Sequence, residues 1–125
     1  MTKTQNVLEK WDGVEFVSST GKTEQFKSFF RSFKSAVKEQ AGESFEVVSC
    51  SAGHFYVSGF LKHKESGGFV YFSTGDVRGI GSQWATHLLV RTAEHEKDYT
   101  GGRNHYSTLM ELGENAIRLM DLQQE

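Results

Sequence analysis

Proline is missing from this chain of 125 residues, and cysteine occurs once. No apolar run approaches the roughly 18 residues that a membrane-spanning helix requires. Without proline, rigid linkers and proline-rich recognition segments are disfavoured. A lone cysteine, Cys50, excludes an internal disulfide and any multi-cysteine zinc site, and it fits a reducing compartment. Residues Met1 to Asn6 lack the apolar core of a signal peptide. A cytoplasmic protein with no membrane partner is the expectation. Charge of one sign is lacking as well: 14 Lys+Arg stand against 16 Asp+Glu, so no bulk field draws the chain toward nucleic acid or an anionic membrane. Repeats and low-complexity tracts are not found either. The chain reads as one domain over residues 1–125, with residues 1–22 an N-terminal arm or short strand and 23–122 the core.

What is present is aromatic. Ten phenylalanines contribute to a 13% aromatic content, enough to build a core. The most strongly patterned stretch runs from Thr23 to Gly42, where Phe26, Phe29, Phe30, Phe33, Ala36 and Val37 recur at i, i+3, i+4, i+7, i+10 and i+11. That spacing predicts an amphipathic helix. Thr23 is placed to cap it, Glu24 suits its positive end, and Gly42 suits a left-handed stop. Before it, residues 2–10 read as a short helix or an arm, and Val14–Val17 as a short strand.

After Gly42 the period falls to 2. Phe45–Cys50 and His54–Lys62 alternate, and Ser51–Gly53 is short enough to join them as a hairpin. Phe55, Val57 and Leu61 then point one way, while His54, Tyr56, Ser58, Phe60 and Lys62 point the other. Phe69–Thr74 is a third strand, β-branched and aromatic. Gly75–Gln83, with three glycines, is a loop. Ala85–Thr92 is a fourth strand. A second amphipathic helix is expected over Ser107–Leu122, with Thr108 and Glu111 at capping-box spacing. Gly113 within it marks close contact with the sheet or the other helix. The order predicts an α+β fold: an antiparallel sheet of three to four strands with two amphipathic helices packed on one face. Residues 1–17 are one candidate cover for the aromatics on the other face.

The order also resembles that of double-stranded-RNA-binding domains. Their phosphate-binding lysines open the second helix, however, and here Ser107–Leu122 is acidic.

Four groups of residues are candidates for function. Lys27, Arg31, Lys34 and Lys38 fall within a sector of about 60° on the first long helix, a ridge suited to phosphates or an acidic protein surface. The alternative is a solvated helix face. The segment Arg91–Tyr106 concentrates Arg91, Lys97, Asp98, Tyr99, Arg103, Asn104 and His105, and suits an anion pocket ahead of a helix. The alternative there is a self-satisfied loop with Asp98 paired to Arg103. His95, Asp98 and His105 are the residues for metal-independent acid–base cleavage of RNA, if the chain is an enzyme. No spacing calls for a metal or a cofactor. Finally, Tyr56, Phe60, Tyr71, Trp84, Tyr99 and Tyr106 exceed what one small core face absorbs, and suggest an interaction surface.

The run Val90–Asn104, preceded by Val70–Arg78, resembles short proteins of Gram-positive phages and mobile elements, a gene pool that includes anti-CRISPR proteins. The resemblance covers about residues 69–122. It implies a small accessory protein acting by binding, such as an inhibitor of a host nucleic-acid-handling complex, with a protein or nucleoprotein partner. Direct RNA or DNA binding and a small nuclease are the alternatives.

Overall fold

The structure is a computed structural model that describes residues 2–16, 23–78, 82–99 and 102–124, without the side chains of residues 23 and 122–124. The expected loop Ser18–Lys22, the cap by Thr23, and residues 79–81 and 100–101 lie outside that description. In order, the elements are α1 (Lys3–Trp11), α2 (Thr23–Ala41), β1 (Phe45–Ala52), β2 (Val57–His63) and β3 (Phe69–Ser73). Then follow α3 (Gln83–Thr86), β4 (Leu88–Ala93), β5 (His105–Ser107), a 3-10 turn (Leu109–Glu111) and α4 (Leu112–Gln124).

The phenylalanine stripe organises the packing as its spacing predicts. Phe26, Phe29, Phe33, Ala36 and Val37 are buried, and Phe30 sits half-buried at the rim. Phe29 is the hub: its ring lies 5.0 Å from Trp84, 5.1 Å from Phe16, 5.6 Å from Phe33 and 5.9 Å from Trp11. Each such tilted or edge-on pair adds about 0.5–1.5 kcal/mol to the area it buries. Gly42 closes the helix at φ +55°, as expected of it.

All five strands run antiparallel in the order β1-β2-β3-β4-β5, a plain meander. Val57 and Leu61 of β2, Val70 and Phe72 of β3, and Leu88 and Val90 of β4 face α2 and α4 in the main core. The expected α+β architecture holds, with both long helices on one face. The expected count does not: among the described residues there are five strands and four helices. β5 has only three residues, too short to show a period. Ala85 belongs to the single turn α3, which turns Trp84 and Ala85 into the core before β4 starts. Residues 14–16 are not a strand, and Phe16 simply packs beside Trp11. The first hairpin turns at Gly53–Tyr56, where the Gly53 N–H donates to the Tyr56 carbonyl, so β2 begins at Val57 rather than His54.

Residues 3–11 form a helix, capped by Thr2, and pack on α2, not on the second sheet face. The tie is a carboxylate. Glu39 of α2 accepts from the Lys3 N–H (2.8 Å), the Thr4 N–H (3.0 Å) and the Thr4 hydroxyl (2.7 Å), satisfying donors that a helix start leaves open. Gly113 is the other close approach. A Cβ there would stand 2.2 Å from the Gln40 carbonyl oxygen, so α4 and α2 meet backbone to backbone. Thr108 accepts from the Glu111 N–H, as the capping spacing predicts, though it caps the 3-10 turn.

The bonds from Thr4, first its N–H and then its hydroxyl, hold the Glu39 carboxyl below its ordinary 4.5. A carboxyl lowered on folding stabilises above its unfolded value, and that stability is lost as pH falls through the folded value. Replacing Glu39→Gln should cost about 1 kcal/mol near pH 7, and the gap to wild type should narrow at a second pH well below the ordinary 4.5. Denaturant titrations at both pH values measure it; an equal gap at both would refute the role of the charge.

Candidate functional site

The second sheet face carries a cluster of its own. Phe60, Tyr71 and Ala93 are buried there, with Val48, Phe69 and Leu89 packed around them. Val48 reaches this side by alternation from Val47, and the register shift between Val47 and Ser49 then returns Cys50 to the core. Phe60 pairs with Tyr71, and Tyr71 with Arg91, so the three form one cross-strand row. No helix among the described residues covers them.

The cover is the polar segment after β4. The Tyr99 ring packs edge-on against Phe60 at 5.3 Å and Tyr71 at 5.7 Å. Arg91 holds it there. Its guanidinium carbon lies 4.8 Å from the Tyr71 ring centre, its Nη2 donates to the Tyr99 carbonyl, and its Nη1 reaches Asn104 Oδ1 at 3.4 Å. One side chain therefore stacks on the sheet and ties both ends of the loop. The intervening turn is closed by its own residues. Asp98 Oδ2 accepts from the Glu94 N–H (3.0 Å), His95 Nδ1 from the Lys97 N–H (3.2 Å), and the His95 carbonyl from the Asp98 N–H (3.1 Å). Gly102, at φ +74°, lets the chain return close over Thr92, where a Cβ would stand 2.5 Å from the Thr92 carbonyl oxygen.

The expected Asp98–Arg103 pair is not formed; Arg103 is exposed and makes no ion pair among the described residues. Tyr99 (55% exposed) and Tyr106 (60%) leave much of their rings in water. Tyr106 pairs with Leu89, which puts it on the same face as Tyr99. Tyr56, also exposed, lies in the hairpin turn, whereas Trp84 is buried on the helix side.

His105 is elsewhere. It pairs with Val90, whose side chain is in the main core, so His105 projects on the helix side of the sheet. There it lines a groove of about 150 Å³ with Val90, Tyr106, Asn115, Arg118 and Leu119. His95 and Asp98 belong to the turn beyond the end of β4. The structure thus separates the three residues that acid–base cleavage would need together. Among the described residues, no group of three His, Cys, Asp or Glu is placed to hold a metal. Likewise, none of their helices is long and apolar enough to cross a membrane.

The α2 ridge lies over the outer edge of the sheet. Lys34 and Lys38 are near enough to Cys50 of β1 to favour its thiolate, but burial dominates and pushes the thiol up to about 11. Cys50 is a core residue, not a nucleophile. Within the ridge, Lys27 makes an exposed pair with Glu24 (3.3 Å) and Lys34 lies 5.9 Å from the Phe30 ring. Arg31 and Lys38 are exposed and make no ion pair among the described residues.

One feature carried no sequence signal. Asp76 and Arg78 form a two-pronged pair, 2.6 Å at its shortest, and the guanidinium beside Asp76 holds that carboxyl down to about 2. Arg78 in turn lies over the Phe55 ring at 4.8 Å. Phe55 is buried at φ +57°, a conformation that costs a non-glycine residue about 1 kcal/mol or more. Its packing on Phe26 at 5.2 Å offsets that strain.

Arg91→Met keeps the stem of the side chain but removes both loop ties. Amide exchange over residues 94–99 should accelerate roughly tenfold, with β2 and β3 unchanged. Exchange mass spectrometry reads this directly, and unaltered loop protection would show that Arg91 is not the lock. Searches against family models, curated proteins and solved structures return no match for this chain, so its own geometry carries the functional reading.

Proposed function

We propose that this chain is a small, non-enzymatic, cytoplasmic binding protein that grips a protein partner through the outer sheet face. The contact surface is the loop-covered platform of Tyr99 and Tyr106, with Arg91 beneath and Lys97, Asp98, Arg103 and Asn104 around it. The observation that carries this reading is the Arg91 lock. It fixes a long polar loop against a hydrophobic row and leaves two tyrosine rings half in water, on a surface where Arg103 is also exposed. Tyrosine and arginine on a rigid support are the residues that dominate protein interfaces, because they bury much area for little lost freedom. The resemblance of Val70–Arg78 and Val90–Asn104 to phage and mobile-element proteins gives the proposal its target: a host nucleic-acid-handling complex, such as a CRISPR–Cas assembly, that the chain would inhibit by occupying it.

A second reading rests on the same platform. Two exposed rings, with Arg103 also exposed, suit stacked bases of single-stranded nucleic acid as well, each worth about 1–3 kcal/mol. Salt separates the two. Nucleic-acid affinity falls steeply with ionic strength through counterion release, and an aromatic protein contact does not. The chain, immobilised in host lysate with and without nuclease, should retain a protein partner in both cases and at raised salt. The double variant Arg103→Ala with Tyr106→Ala, both exposed, should lose it while keeping the fold. Capture that vanishes on nuclease treatment favours the second reading, and capture indifferent to the double variant removes the platform from the interface.

A further inference from the structure

Among the described residues, the basic ridge of α2 and the acidic end of the chain form no ion pair with each other. α2 meets α4 through Gln40 and Gly113, and Gln40 lies within the apolar stripe, about 150° around the helix from the centre of the ridge. The solvent side of α4 and its leading turn instead presents Met110, 45% exposed, and Ile117, 38% exposed, with exposed Glu111, Glu114 and Asp121. The two surfaces share a spacing. Met110, Glu114, Ile117 and Asp121 stand at i, i+4, i+7 and i+11, as do Lys27, Arg31, Lys34 and Lys38.

We infer that a second copy of this chain docks its α4 face onto the α2 ridge. Glu114 to Asp121 on α4 and Arg31 to Lys38 on α2 each span about 10 Å of α-helix, so their side chains stay in step along that contact. In either direction each carboxylate, Glu114 and Asp121, meets a cation of the ridge. Ile117 falls against the lysine and arginine stems that flank half-buried Phe30, and so leaves water. The pairs that must rearrange, Lys27–Glu24 at 3.3 Å and Arg118–Glu114 at 3.8 Å, are exposed and weak. Because the two faces belong to different elements of one chain, the contact is heterologous: each copy offers one face and accepts on the other. The tyrosine platform stays free on the opposite side of the sheet.

The test is sedimentation equilibrium at low and high salt on the intact chain and two charge-reversed variants, Arg31→Glu with Lys38→Glu and Glu114→Lys with Asp121→Lys. All four positions are exposed, and circular dichroism confirms the fold of each variant. Arg31→Gln with Lys38→Gln and Glu114→Gln with Asp121→Asn serve if a reversal fails to fold. The wild type should exceed the 14.1 kDa of one chain as concentration rises, less so at high salt. Each variant alone should stay at one chain's mass. An equimolar mixture should again exceed one chain's mass, since it keeps one intact ridge and one intact α4 face and its two reversed faces also attract each other. A wild type that remains single at millimolar concentration overturns the inference. So do variants that assemble like the wild type, or a mixture that stays single.

Discussion

A sheet has two faces to keep from water, and the long helices of this chain lie on only one. α2 and α4 cover the side that carries Val57, Leu61, Val70, Phe72, Leu88 and Val90. Phe60 and Tyr71 remain on the other, large rings that the alternation of β2 and β3 cannot turn inward without exposing the first set. Burying each is worth about 1.5–3 kcal/mol, so something must cover them. That something is the polar segment after β4, and most of what the surface can do follows from how it is held.

Polar loops make poor covers unless their own groups are satisfied. Here the requirement is met locally except at Arg91 Nε, which is buried with no hydrogen-bond partner among the described residues. Glu94, His95, Lys97 and Asp98 bond one another, Arg91 takes the Tyr99 carbonyl and Asn104, and the Tyr99 ring goes down onto the sheet. The histidines that suggest catalysis in the sequence are explained by the same economy of bonds: His95 closes a turn, and His105 lines a groove on the other side of the sheet. A loop fixed in this way enters an interface with its shape already set, which lowers the entropic cost of binding.

The elements that could be read in the sequence are those whose pattern is local. α2 shows its face, its stop at Gly42 and its length because the period repeats over many turns. The alternation of Val57, Leu61 and Phe60 likewise sorts the two sheet faces, since a strand's period of 2 is written in the order of its residues. α3 and β5 are invisible for the opposite reason: four and three residues hold no period, and Trp84 reaches the core only because a single turn reverses it. The excess of aromatics was legible as a surface in need of a cover. Which segment supplies that cover was not, because it depends on Arg91 standing opposite Tyr71, a matter of strand register. The Asp76–Arg78 clamp over Phe55 is tertiary in the same sense.

The cover itself is the point on which the account turns, and nuclear Overhauser spectroscopy of the aromatic protons observes it. The Tyr99 ring should show cross-peaks to both Phe60 and Tyr71, with resonances shifted by the rings beneath it. Tyr99 protons at random-coil positions, with no cross-peak to either ring, would contradict the claim that this loop is a fixed platform.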